Sequence, residues 1–153
     1  MCFVLYVGTE KPLPLREWHN EAPDVSVKSL DEREEPIRVH FSKPEVQYIG
    51  STSGCGCDFG SVMYQTGDWP WWDDGEVDPE QEQRERRSRE GLIESLRNSG
   101  EPIVELYGVW DGGFDFRTPP LIRESIRVAD ILNRDFRFKE QGFYTLQIDQ
   151  SLA

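Results

Sequence analysis

Apolar and polar positions divide the chain into short strands and one long helix. Cys2 to Val7 is an unbroken apolar run closed by Gly8, the pattern of a strand covered on both faces and set centrally in a sheet. Alternation follows twice: Val25 and Val27 against Ser26 and Lys28 in the run to Leu30, then Ile37, Val39 and Phe41 against Arg38 and His40. Both predict strands with one wet face, with His40 on the polar side beside Arg38. After the break at Pro44, Val46 to Ile49 predicts a short strand that runs straight into a glycine-rich stretch. Ile103 to Trp110 predicts a further strand, and Asp111-Gly112-Gly113 before Phe114-Asp115-Phe116 predicts a hairpin turn. Leu121 to Leu132 fits a helix through Ile122, Ile126 and Ala129, or a strand to Val128 followed by a helical turn over Ala129 to Leu132; the second is preferred. Phe143 to Ile148 supplies a last strand, and the end of the chain is expected to fray.

A single segment carries a full set of helix signals. Asp78 is placed to cap, Pro79 suits the first helical position, Gln81 stands three residues after the cap, and Gly100 supplies the stop, which predicts a helix over Pro79 to Ser99. Glu80 and Arg84, Glu82 and Arg86, and Glu85 and Arg89 are spaced for ion pairs along it. Only Leu92, Ile93 and Leu96 are apolar, so the first half is expected in solvent and the second half against the sheet. Between these elements, prolines at 12, 14 and 23 limit the Thr9–Pro23 stretch to a helical turn anchored by Trp18, and Asp31 to Pro36 reads as a solvated loop. Trp69, Trp71 and Trp72 stand among acids in a loop-like stretch, where they either lid the core or form an exposed recognition patch.

Together these elements give one α+β domain spanning residues 1–153, with a mixed, mainly antiparallel sheet and one long helix. A chain of 153 residues is the length of one ordinary domain and buries about 70% of its unfolded surface on folding. The net charge of -12 disfavours a nucleic-acid partner, because the phosphate term is repulsive. Residues 117–140 run against this trend, with Arg117, Arg123, Arg127, Arg134, Arg137 and Lys139 outnumbering Glu124, Asp130, Asp135 and Glu140; surface pairing of those charges is the expected arrangement. Three cysteines are an odd number without a disulfide spacing, and the apolar opening lacks a basic leader and a cleavage site. A cytoplasmic protein without a membrane span is expected, whose partner is another protein or a small molecule.

Candidate chemistry gathers in Gly50 to Gly60, where Cys55-Gly56-Cys57 follows Ser51, Thr52 and Ser53. Gly56 permits a tight turn between two thiols, which opens three uses. The pair can exchange thiols and disulfides, since a ring closed over one residue is strained and readily reduced. Asp58 caps a short helix over Phe59 to Gln65, placing Cys55 and Cys57 beside its amides, which lowers a thiol pKa while the Asp58 carboxylate opposes the effect. Cys55, Cys57 and Asp58 are therefore the candidate catalytic residues.

The second use is a metal ion at Cys55 and Cys57, with His40 as the candidate histidine ligand. A closed zinc site wants four ligands, which only Cys2, Cys55, Cys57 and one of His19 or His40 could supply; yet Cys2 belongs to an apolar run, where a cysteine is more often a small hydrophobe, and His19 has no acid or cysteine at a binding spacing. The third use is an anion or cofactor cradle built from Ser51, Thr52 and Ser53, although the stretch lacks the lysine of a phosphate loop and the glycine pattern of a dinucleotide turn. The plainer account is a glycine-rich turn whose cysteines are small residues that fit. Tyr48 to Phe59, with Phe138 to Tyr144, resembles an uncharacterised family of small bacterial proteins. That resemblance implies a stand-alone bacterial domain and assigns no activity. The expectation is thus a thiol-based redox or metal-binding site at Cys55-Gly56-Cys57, and the alternative is an acidic protein-interaction module using the three clustered tryptophans.

Overall fold

The computed structural model describes residues 2–62 and 78–149, with the backbone alone at Val62. Six strands form one sheet: β1 (Cys2–Thr9), β2 (Ser26–Ser29), β3 (Glu45–Gly50), β5 (Ile103–Asp111), β6 (Ile122–Arg127) and β8 (Gly142–Gln147). Their order is β2-β3-β1-β5-β8-β6, so the apolar run at the start of the sequence is an inner strand as expected. Every pairing in this sheet is antiparallel except that of β6 with β8. The short strands β4 (Ser61–Val62) and β7 (Phe138–Lys139) pair in parallel beside it. One α-helix, α1 (Pro79–Asn98), completes an α+β architecture.

Alternate side chains of a strand leave on opposite faces, and in β1 both faces are dry. Phe3, Leu5 and Val7 join the core beneath α1, where Leu92, Ile93 and Leu96 meet Leu106, Tyr144 and Leu146. Val4 and Tyr6 belong to the opposite core with Tyr48, Tyr107, Phe143, Ile37 and Phe116. The helix begins as its sequence dictates: Asp78 accepts the Glu80 amide at 3.0 Å and Pro79 occupies the first turn. Of the three expected ion pairs only Glu85–Arg89 forms, at 3.5 Å; Arg86 turns to Glu90 and Glu82 meets Arg134. In the basic segment Arg134, Arg137 and Lys139 pair with Glu82, Glu85 and Glu124, the last at 2.6 Å.

Two expected elements are replaced. Ile37 to Phe41 is no strand; Glu35–His40 is a 3-10 helix with Pro36 in its first turn, which fixes the backbone φ a helix needs. Ile37 is fully buried while Val39 is 73% exposed, so the apparent alternation marks one inward residue on a tight helix. The hairpin after Asp111 is absent because β5 already has β1 on one side and β8 on the other. Phe114 and Phe116 pack edge to face instead, and Phe116 also meets the Tyr6 ring. By contrast, Ile122–Arg127 is a strand and Val128–Leu132 a 3-10 helical turn, the preferred reading of that segment. Among the described residues no helix is long and apolar enough to cross a membrane.

Candidate thiol centre

Leaving the sheet at Gly50, the chain folds back along the start of β1. Ser51 organises the bend: its amide donates to the Cys55 carbonyl at 2.6 Å, its carbonyl accepts the Gly54 amide at 2.9 Å, and its fully buried hydroxyl accepts the Asp58 amide at 3.3 Å. Gly54 sits at φ +92°, in the left-handed region that glycine enters without penalty. Tyr48 donates its hydroxyl to the Gly54 carbonyl at 3.0 Å, and the exposed Trp18 indole donates to the Thr52 carbonyl at 3.0 Å. Gly56 then donates to the Phe3 carbonyl at 2.7 Å, docking the loop on the flank of β1. A side chain at Gly56 would meet the Phe3 carbonyl at 2.9 Å and the Val4 Cα at 3.3 Å, so only glycine allows this approach.

The helix α1 reaches the loop through polar side chains. Ser88, fully buried, accepts the Thr52 amide at 3.2 Å and shares a 2.9 Å hydrogen bond with the Thr52 hydroxyl. Thr52 passes a bond on to the Asp58 carboxylate at 3.3 Å, which Gln81 also holds at 3.2 Å. Arg89 donates its Nε to the Phe59 carbonyl at 2.6 Å. The helix pattern hid Ser88 and Arg89, since hydropathy places polar residues in solvent; a serine and an arginine one turn before the apolar stripe were the available signal.

This docking brings together three sulfurs. The Sγ atoms of Cys2, Cys55 and Cys57 all lie within 4.8 Å of one another, each thiol is partly buried, and none is in a disulfide. Cys2 packs against the core as expected of a small hydrophobe and is also part of the group, because the antiparallel register of β1 and β3 carries the loop after Gly50 past the first residues of β1. The group is electrostatically unequal. The Cys57 thiol donates to Cys55 and, with the Cys57 amide and the Ser53 hydroxyl, outweighs burial to lower the Cys55 pKa to about 5. Cys57 is pushed well up by donating that proton and by burial, despite the Phe3 backbone N–H aimed at it. Cys2 is raised by its hydrogen bond to Cys55 and by burial. These hydrogen bonds make Cys55 the most readily ionised of the three sulfurs.

The other expected site residues have different duties. His40 shares a 2.9 Å hydrogen bond with the Phe116 carbonyl and packs its ring on Tyr107, so it is not one of the three close ligands. Its placement follows from the 3-10 helix that replaces the expected strand. Asp58 joins the polar network of Thr52 and Gln81 and is not part of the sulfur group. It lies within the 3-10 helix Cys57–Phe59, which gives way to β4 where a longer helix was expected; the remainder of that helix falls outside the described residues. The amides of Ser51, Thr52, Ser53 and Gly54 all donate to protein acceptors, so the expected anion cradle is a self-bonded turn. Trp69, Trp71 and Trp72, on which the interaction-module alternative rests, lie outside the described residues.

Compared with protein-family models, curated proteins and solved structures, the chain matches none. The chemistry of the site rests on its own geometry.

Proposed function

We propose that the protein binds one thiophilic metal ion on Cys2, Cys55 and Cys57. The observation that carries this reading is the convergence of three unbridged sulfurs within 4.8 Å, drawn from two distant stretches of chain. A zinc–sulfur bond of about 2.3 Å in tetrahedral geometry sets neighbouring thiolates about 3.8 Å apart, so closing the group on one ion takes at most about 1 Å of movement. Thiolates favour soft or borderline ions, and partial burial leaves an entry path while limiting competition from water. The reading fits a reducing compartment such as the cytoplasm, where thiols stay unpaired. The test is metal analysis of protein purified with reductant but without chelator, alongside thiol titration before and after adding zinc or monovalent copper. One ion per chain with three protected thiols is expected; no bound ion and three unprotected thiols would refute the reading.

A second reading, thiol–disulfide exchange, is favoured by the low pKa of Cys55 beside two thiols. Cys55 would attack glutathione disulfide and release one glutathione thiolate; Cys57, once deprotonated, would then displace the second and close the internal disulfide. Mass spectrometry of metal-free protein after such treatment distinguishes the two: a stable Cys55–Cys57 bridge supports exchange, and unmodified thiols exclude it.

A further inference from the structure

Resting on the metal-binding reading above, we infer that the centre is built for monovalent copper, held by three sulfurs alone, in preference to zinc. The donor set is the first ground. The close group contains only sulfur, and among the described residues no histidine or carboxylate joins it. Closed zinc sites use four ligands, whereas monovalent copper, a soft ion with a filled d shell, is satisfied by two or three thiolates.

The surroundings are the second ground. Asp58, the nearest acid in the sequence, is turned to Thr52 and Gln81, and His40 is engaged by Phe116, so recruiting either as a fourth ligand means breaking bonds that hold the fold. A three-sulfur ion needs no such rearrangement. The donors around the group serve the same end. The Cys57 amide and the Ser53 hydroxyl bond to Cys55, and the Phe3 amide bonds to Cys57, which spreads the negative charge that three thiolates around a singly charged ion retain. Cys2 is indispensable here, because without it the loop offers only a two-sulfur clip.

The test is anaerobic competition on the full chain, with monovalent copper supplied as its acetonitrile complex against bicinchoninate, and zinc against a colorimetric chelator. One copper per chain is expected, tighter than zinc, with all three thiols protected. Cys2→Ser should weaken copper by at least about tenfold, the scale seen when even an outer-shell partner of a metal ligand is lost. Circular dichroism checks that this variant folds, and Cys55→Ser provides a second variant if it does not. Zinc held more tightly than copper would overturn the copper inference and leave the metal-binding reading standing, whereas copper affinity unchanged by Cys2→Ser would overturn both, since each counts Cys2 among the ligands. Failure to bind either ion would overturn both.

Discussion

Gly56→Ala puts the docking of the cysteine loop to its most direct test. The added methyl would stand 2.9 Å from the Phe3 carbonyl oxygen, 3.1 Å from Phe3 Cδ2 and 3.3 Å from Val4 Cα. Two of those atoms are backbone of an inner strand, which cannot rotate aside. The loop must therefore lift, at an overpacking cost of about 1–3 kcal/mol. Lifting also lengthens the 2.7 Å bond from the Gly56 amide to the Phe3 carbonyl, which adds about 1 kcal/mol. A total near 2–4 kcal/mol should appear as a lower midpoint in urea unfolding of the metal-free protein. The same displacement moves Cys55 and Cys57 away from Cys2, so metal affinity should fall with stability. Gly54→Ala supplies the contrast: its φ of +92° imposes strain, but the nearest atom to the new methyl is 3.6 Å away on the Trp18 ring. It should cost about 1–2 kcal/mol through backbone conformation alone. If Gly56→Ala unfolds within about 0.5 kcal/mol of the parent and binds metal equally well, docking on β1 does not align the sulfurs.

Other expectations follow from the same contacts. In metal-free protein the Cys55 pKa is lowered from 9.0 to about 5, so its stabilising contribution is complete above about pH 9 and is lost as pH falls through about 5. Alkylation by iodoacetamide should follow an ionisation near 5, and a rate that rises only at alkaline pH would contradict the hydrogen bonds assigned to Cys55. Ser88→Ala leaves the Thr52 amide without its acceptor and should cost about 1–3 kcal/mol while quickening thiol modification; unchanged stability and reactivity would show that α1 does not brace the loop. Arg89→Ala deprives the Phe59 carbonyl of its donor and Glu85 of one partner, leaving it Arg137 and Gln81, for an expected loss of about 2–3 kcal/mol in denaturant unfolding; a loss below about 1 kcal/mol would contradict that role.

Local signals made much of this fold legible. Asp78, Pro79 and Gly100 mark the ends of α1 through capping chemistry that operates within a turn, and the helix runs Pro79–Asn98. The apolar run of β1 declares a strand buried on both faces, which the structure places third in the sheet. Ile37 to Phe41 misleads because two apolar residues on alternate positions look the same whether both are buried or one points outward. The site was half legible. Cys55 and Cys57 announce themselves by spacing, but the third sulfur is supplied through strand register. Nothing near Cys2 in the sequence states that the chain will return past it after 52 intervening residues. Ser88 was equally hidden, since its partner Thr52 lies 36 positions away.

The pairing of β1 with β3 runs from Leu5 to Thr9, which leaves the first residues of an inner strand without a neighbouring strand on that flank. The cysteine loop occupies that flank: Gly56 takes the Phe3 carbonyl and the Cys57 sulfur takes the Phe3 amide. A loop that lets go would bare backbone groups on a flat, apolar strand, a ready template for another copy of the chain. Oxidising the sulfurs would then be felt first as clumping of otherwise folded molecules, visible by light scattering before any loss of helix.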